Sequence, residues 1–334
     1  MKNLELLAEL DLCSQPDTIK PFPSDVFPDS VYSGSFLVGT YCYDQRKDER
    51  CGSLICFNPR NYIKQKLYHS TNIHEVPTFH EFGLGLPGIL SCSWVCRENS
   101  AGILCLTSDL KVVQFDAIDG NLNSEYKFEK VSQINLDDES SSVGLSLTPS
   151  DIYGKYISIT SSNGYVYIVK DDTVINRWKA HDLEVWTSVF DPNNVNVILT
   201  GSDDSYIKRF DLRENINNIT KVSCHSSGVT TLQFSPNNPN LLYSGGFDKN
   251  LFQFDTRNFS TPISTIKTLT SIWYIDFVKY HKTSQLHIAG CYDGAVTYNL
   301  VDDEIDIGSS MHYNTGNSLF YYKMNSLGPA INLS

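Results

Sequence analysis

HDLEVWTSVFDPNNVNVILTGSDDSYIKRFDLREN (residues 181–215) and HSSGVTTLQFSPNNPNLLYSGGFDKNLFQFDTRNF (residues 225–259) align without a gap. His181 and His225, Pro192 and Pro236, Gly201 and Gly245, Asp204 and Asp248, Asp211 and Asp255, and Arg213 and Arg257 all stand 44 positions apart. A looser third copy, SIWYIDFVKYHKTSQLHIAGCYDGAVTYNL, starts at Ser271; Asp293 lies 89 positions beyond Asp204, so one extra residue entered a loop. Inside each copy the pattern is strand throughout. Alternating runs such as VWTSVF and VTTLQF lead into a Pro-Asn-Asn turn, then a short apolar strand, a tight turn on Asp and another strand.

Units of about 40–45 residues with four short strands, a leading His and a closing aromatic-Asp pair carry the WD-repeat signature. Four strands cannot bury both faces alone, and stacking units around an axis solves this. Weaker copies extend upstream: SGSFLVGTYCYD with CGSLICFN inside 33–58, GILSCSWVCRENSAGILCLTSDLKVVQFDA at 88–117 and SSVGLSLTPSDIYGKYISITSSNGYVYIVK at 141–170. The expected fold is all-β, a single WD40-type β-propeller domain spanning 1–334. Its blades fall at about 18–60, 86–120, 140–172, 181–215, 225–259, 270–303 and 312–334. LELLAELDL, about 4–12, is expected to supply the outermost strand of a seventh blade and close the ring. Only 12 residues follow Tyr322, so that blade is expected to be incomplete and residues after about 324 poorly ordered.

Composition narrows the function classes. The chain has 334 residues, with 26 Lys+Arg against 38 Asp+Glu and a net charge of −12. An acidic chain without a basic run repels phosphates, which argues against nucleic acid and charged membrane surfaces as partners. No stretch approaches the roughly 20 apolar residues that span a bilayer. Glu5, Glu9 and Asp11 interrupt the apolar N-terminus, unlike a secretory signal. The 9 cysteines form no CxxC pair, so they read as reduced thiols of a cytosolic protein, mostly core filler, rather than redox or metal-binding residues.

His181, Thr200 and Asp204, repeated as His225, Ser244 and Asp248, have the composition of a hydrolytic triad. The fixed period argues instead for a buried hydrogen-bond network within each blade, since a catalytic set need occur only once. The position where such networks often hold a Trp is Phe210 or Phe254, which cannot donate. Asp211–Arg213 and Asp255–Arg257 read as turn salt bridges. GxSxG, GxGxxG, GxxxxGK[ST] and HExxH are all absent from the sequence. By fold alone, a protein-interaction scaffold is the default.

FLVGTYCYD with GSLICF, HDLEVWTSVFDP, NLLYSGGFDKNLFQFDTRN, SIWYIDF with HIAGCYDG, and HYNTGNSLFYYKM resemble the WD-repeat diphthine methylesterase family of the diphthamide pathway. The resemblance runs from about 4 to 323 and is strongest from 181 onward. It implies a cytosolic hydrolase that removes a methyl ester from diphthine, the modified histidine of translation elongation factor 2. The freed carboxylate is then amidated to diphthamide. No cofactor or metal is implied. Fungal members are also connected with endosomal recycling, which keeps the scaffold reading open. A third reading is a non-catalytic reader of methylated histone tails.

Diphthine carries a quaternary ammonium, which favours aromatic faces. Ester hydrolysis needs an activated water and an oxyanion donor. The loops entering the innermost strands hold Asp182, Glu184, Trp186, Ser226, Ser227, Trp273 and Tyr274, with His312, Tyr313 and Asn314 expected to add to them from a seventh blade. The expectation is an aromatic pocket of Trp186, Trp273 and Tyr313, with His312 as general base and Asp182 or Glu184 orienting it or the water. The plainer reading of each residue is core packing for the tryptophans, a structural blade histidine for His312, and solvated loop acids for Asp182 and Glu184.

Overall fold

The computed structural model describes residues 8–10, 15–23, 26, 30, 32–58, 79–97, 100–118, 127–136, 142–214, 219–280, 283–292, 294–301, 303–313, 320–322 and 331–333. Asp293 and Asn314 lie outside the described residues. The chain divides into two compact units, the first comprising 1–144, 152–154 and 320–334, the second 145–151 and 155–319.

The first unit opens with β1 (Ala8–Leu10). A four-stranded antiparallel sheet follows, of β2 (Gln15–Pro21), β3 (Phe36–Asp44), β4 (Glu49–Phe57) and β5 (Phe79–Leu86). The next sheet contains β6 (Ile89–Cys96), β7 (Ala101–Thr107), β8 (Lys111–Ile118) and β9 (Lys127–Asn135).

Four more sheets of the same order follow, all but the start of the first lying in the second unit. They are β10 (Gly144–Pro149), β11 (Ile157–Ser161), β12 (Tyr165–Lys170) and β13 (Thr173–Lys179); then β14 (Val185–Asp191), β15 (Asn194–Ser202), β16 (Ile207–Asp211) and β17 (Thr220–Val222). The next is β18 (Val229–Phe234), β19 (Leu241–Gly246), β20 (Asn250–Asp255) and β21 (Ser264–Lys267). The last is β22 (Ile272–Tyr280), β23 (Thr283–Gly290), β24 (Ala295–Val301) and β25 (Glu304–Tyr313). The chain then returns to the first unit as β26 (Phe320–Tyr322) and β27 (Ile331–Leu333).

Burial explains the wording of each strand. The second strand of a sheet is covered on both faces, so it reads as a continuous apolar or small-residue run: every residue of β7 (AGILCLT), β11 (ISITS) and β19 (LLYSGG) is buried. The fourth strand is exposed along much of its length, as in β9 and β13. Glycine in the second strand lets the next sheet approach. A Cβ on Gly201 would stand 2.7 Å from Val229 Cγ1, and one on Gly245 would overlap Ile272 more severely. Val229, Leu232, Leu242, Phe252 and Phe254 then pack with Leu199 and Ile207 in one core, each large side chain contributing about 1.5–3 kcal/mol of burial. Phe210 and Phe254, standing where a Trp was anticipated, are fully buried, and Phe210 meets Trp178 edge to face at 5.4 Å.

Two expectations need correction. Residues 304–313 do not lie beyond the sixth sheet; they are its fourth strand, with Val296 opposite His312 and Ala295 opposite Tyr313. Each repeat read in the sequence therefore omits the exposed outer strand that completes its sheet. The tail after residue 324 is also not devoid of order: Ile331–Leu333 pairs in parallel with Ala8–Leu10 and antiparallel with Phe320–Tyr322. The N-terminal strand thus lies at the edge of a three-stranded sheet that joins the two chain ends. Among the described residues no helix is long and apolar enough to cross a membrane.

Candidate functional site

The first strand of five sheets carries the same irregularity. Pairing with the second strand jumps by one residue between Val185 and Thr187, between Val229 and Thr231, and between Ile272 and Tyr274. The residues skipped are Trp186, Thr230 and Trp273. In the first unit the skipped residues are Asp17 and Leu90. A β-bulge leaves its extra residue out of the ladder and re-aims its side chain.

Within the second unit this places two tryptophans together. The strands β14 and β22 belong to sheets separated by the β18 sheet, yet the Trp186 and Trp273 rings meet edge to face with centroids 5.6 Å apart. The residue at the equivalent position between them is small. Thr230 is buried and its hydroxyl donates to the Ile272 carbonyl at 2.6 Å. That bond fixes the strand that presents Trp273. Both indoles remain partly open to solvent. The Trp186 Nε1–H donates to Asp203 Oδ1 at 3.2 Å. Gly228 makes room for that carboxylate, because a Cβ there would overlap Oδ1.

The turns at this end of the sheets are tied by backbone bonds. Asp203 N–H donates to Glu184 O at 3.0 Å, Phe247 N–H to Gly228 O at 2.9 Å, and Cys291 N–H to Ser271 O at 2.9 Å. The same end exposes Asp182, Ser226, Phe247, Tyr274 and Tyr292, with Glu184 and Ser227 half-buried. Phe247 and Tyr292 meet edge to face at 6.1 Å. The result is a set of partly open aromatic rings with the Asp203 carboxylate beside one of them, which suits a cation lacking N–H donors.

Asp203 and Thr230 were not singled out in the sequence. Asp203 occupies a position that is aromatic in the other two copies, Phe247 and Tyr292, so the odd acid was a usable signal. His312 is not brought to the tryptophans. It lies exposed on β25, three strands from β22, or about 14 Å across the sheet. Tyr313 follows it on the same outer strand. Both sit there because EIDIGSSMHY closes a hairpin with β24 instead of starting a further sheet.

The His/Thr/Asp sets lie inside the sheets. His181 Nδ1 is 2.8 Å from Asp204 Oδ2, and its Nε2 is 2.8 Å from Thr200 Oγ1. His225 repeats this with Asp248 at 3.0 Å and Ser244 at 2.9 Å. Both rings are buried with both nitrogens engaged, so the network ties the second strand to two turns. Burial lowers the His181 pKa against the opposing pull of Asp204, so the ring is neutral: Nδ1–H donates to the carboxylate and Nε2 accepts from Thr200. Burial would raise the Asp204 and Asp248 carboxyls, but hydrogen bonds from the histidines and backbone amides outweigh it, and both are held below the ordinary carboxylate range. Arg213 and Arg257 grip Asp211 and Asp255 at 2.6 Å on exposed turns and hold those carboxyls at about 2.

The WD domain, G-beta repeat family matches residues 172–211 and 216–255. The chain is 25% identical over 210 residues to "Diphthine methyltransferase" of Schizosaccharomyces pombe, covering 62% of this chain and 58% of the relative. It is 25% identical over 138 residues to "Diphthine methyltransferase homolog" of Dictyostelium discoideum, covering 39% and 36%. The chain thus spans about three-fifths or less of the length of these relatives. Two solved structures share its fold. A chain of the mitotic checkpoint complex matches with a TM-score of 0.60 at 12% identity, covering 98% of this chain and 87% of that one. Sqt1 from Chaetomium thermophilum matches with a TM-score of 0.62 at 13% identity, covering 89% and 72%. The fold is all-β, of the WD40 propeller class. The chain thus carries WD repeats and is similar over part of its length to two curated relatives named for diphthine.

Proposed function

We propose that this chain hydrolyses the methyl ester of methylated diphthine on translation elongation factor 2, leaving the carboxylate that amidation converts to diphthamide. The observation that carries the reading is the contact between Trp186 and Trp273, with Asp203 beside it. Two indoles at an angle, backed by a carboxylate, offer the faces and the charge that attract a trimethylammonium group. Glu184 or Asp182, on the loop that leads into the Trp186 strand, serves as the base. It takes a proton from water as the oxygen adds to the ester carbonyl, and collapse of the adduct expels methanol. The substrate is a whole protein, and the exposed Phe247 and Tyr292 provide surface on which it docks. The reaction takes place in the cytoplasm, where elongation factor 2 works.

The relatives are named as methyltransferases, and that reading predicts the opposite mass change. The test is incubation of the purified chain with methylated, diphthine-bearing elongation factor 2, followed by mass spectrometry. Replacement of one CH₃ by H without an added methyl donor supports the esterase. A gain of CH₂ that depends on a methyl donor supports a transferase. No change with folded protein leaves a scaffold that docks partners on this aromatic surface.

A further inference from the structure

The β3–β4 hairpin of the first unit holds two cysteines that the site does not use. Cys42 and Cys51 stand directly opposite one another across the antiparallel pair. Both are exposed, whereas Cys56, Cys92, Cys96 and Cys105 are buried. Opposed residues of an antiparallel pair have Cα atoms about 4.5–5.5 Å apart, inside the range of about 4.4–6.8 Å that a disulfide spans.

The register is fixed on both sides of the pair. Toward the core, the Ser53 N–H donates to Thr40 Oγ1 at 2.9 Å. Beside it and toward the tip, on the opposite face of the hairpin, Arg50 Nε donates to Tyr41 OH at 3.2 Å and lies 5.6 Å from the Tyr43 ring. At the tip, Tyr43 OH donates to Asp48 at 2.6 Å. A one-residue slip would break all of these and turn the thiols to opposite faces. The hairpin therefore holds two solvent-accessible thiols directly opposite one another while leaving its own packing independent of whether they are joined. Partial desolvation, the neighbouring Cys42 and the Asp44 and Glu49 carboxylates raise the Cys51 thiol pKa.

We infer that Cys42 and Cys51 form a reversible cross-strand disulfide, a redox modification site on the exposed half of this hairpin. With a small-molecule disulfide as oxidant, the Cys42 thiolate attacks one of its sulfurs and releases a small thiol. The Cys51 thiolate then attacks the Cys42 sulfur of the mixed disulfide and releases the second thiol. Two protein thiols are oxidised, one small disulfide is reduced to two thiols, and the two protons end on the released thiols. The inference stands independently of the activity proposed above.

The test treats the full-length protein with glutathione disulfide, blocks remaining thiols, and maps it after tryptic digestion. Arg46, Lys47 and Arg50 lie between the two cysteines, so cleavage puts them on separate peptides. The expected result is a linked pair of peptides carrying Cys42 and Cys51, loss of two hydrogens from the intact mass, and reversal by dithiothreitol. Cys42→Ser and Cys51→Ser, checked by their thermal unfolding, should each accumulate a glutathione mixed disulfide at the cysteine that remains. Wild-type protein carrying two glutathiones, a bridge between other cysteines, or unmodified thiols at both positions would overturn the inference.

Discussion

The Trp186 and Trp273 rings meet at 5.6 Å although the β18 sheet stands between their own sheets in chain order, and the residue at the same bulge position of that sheet is the small Thr230. If the pair binds a quaternary ammonium, either Trp→Ala substitution removes one face of the cage. Each should weaken binding of a trimethylated amino acid about 5–30-fold, the effect of losing roughly 1–2 kcal/mol of cation–π attraction. Titration calorimetry would read this; unchanged affinity in both variants removes the cage.

Thr230→Val keeps the shape and deletes the hydroxyl that holds the Ile272 carbonyl. The expected cost is about 1 kcal/mol of stability. Because the strand it anchors presents Trp273, the tryptophan emission should shift as well. A shift in melting temperature without any change in emission would mean that Thr230 does not set the indole geometry.

The carboxylates and His312 separate cleanly. Glu184→Gln or Asp182→Asn should slow ester hydrolysis by about 100-fold at the position that acts as base. His312→Ala should leave the rate unchanged, since that ring lies on an outer strand. A His312→Ala protein that is folded but inactive would return the base to β25.

Gly245 tests how the sheets pack. Its Cβ would overlap Ile272, and overpacking of this kind costs about 1–3 kcal/mol. Gly245→Ala should lower the thermal midpoint while Gly85→Ala, where a Cβ meets nothing within 4 Å, isolates the cost of the positive φ of 81° alone. An unchanged thermal midpoint in Gly245→Ala would show that the Ile272 contact carries no packing penalty.

Acid and alkali should act through different aspartates. Asp248 and Asp204 have depressed folded-state pKa values, so their contribution is present above the ordinary carboxylate value near 4 and is lost as pH falls through the folded value. Asp248→Asn should flatten the loss of stability below about pH 4. Burial raises the Asp17 carboxyl to about 7. Its contribution is complete at low pH and disappears as pH rises through about 7. Asp17→Asn should therefore be more stable than the parent by about 1 kcal/mol at pH 8.5 and no better near pH 3, below the ordinary carboxylate value, a modest figure because the residue is only partly shielded from solvent. Urea melts across this range decide it.

The repeat was legible because its markers recur at a fixed period: His181 and His225, Gly201 and Gly245, Asp204 and Asp248 all do structural work that the fold demands in each copy. The two tryptophans were legible as candidates because Trp186 follows Val185 as Trp273 follows Ile272. What stayed hidden was the outer strand. Fourth strands are largely exposed, so they carry little hydrophobic pattern, and EIDIGSSMHY offered a His where a new repeat would start. Contacts between copies were hidden too. Nothing in the order of residues says that Trp186 and Trp273 meet, or that Gly228 leaves space for Asp203.

The bulge has an evolutionary consequence. A residue left out of the hydrogen-bond ladder can be exchanged with little effect on how its strand pairs, so Asp17, Leu90, Trp186, Thr230 and Trp273 behave like interchangeable bits in a common tool handle. A lineage could swap indole for carboxylate or hydroxyl at such a socket and change what the protein grips while inheriting the scaffold intact.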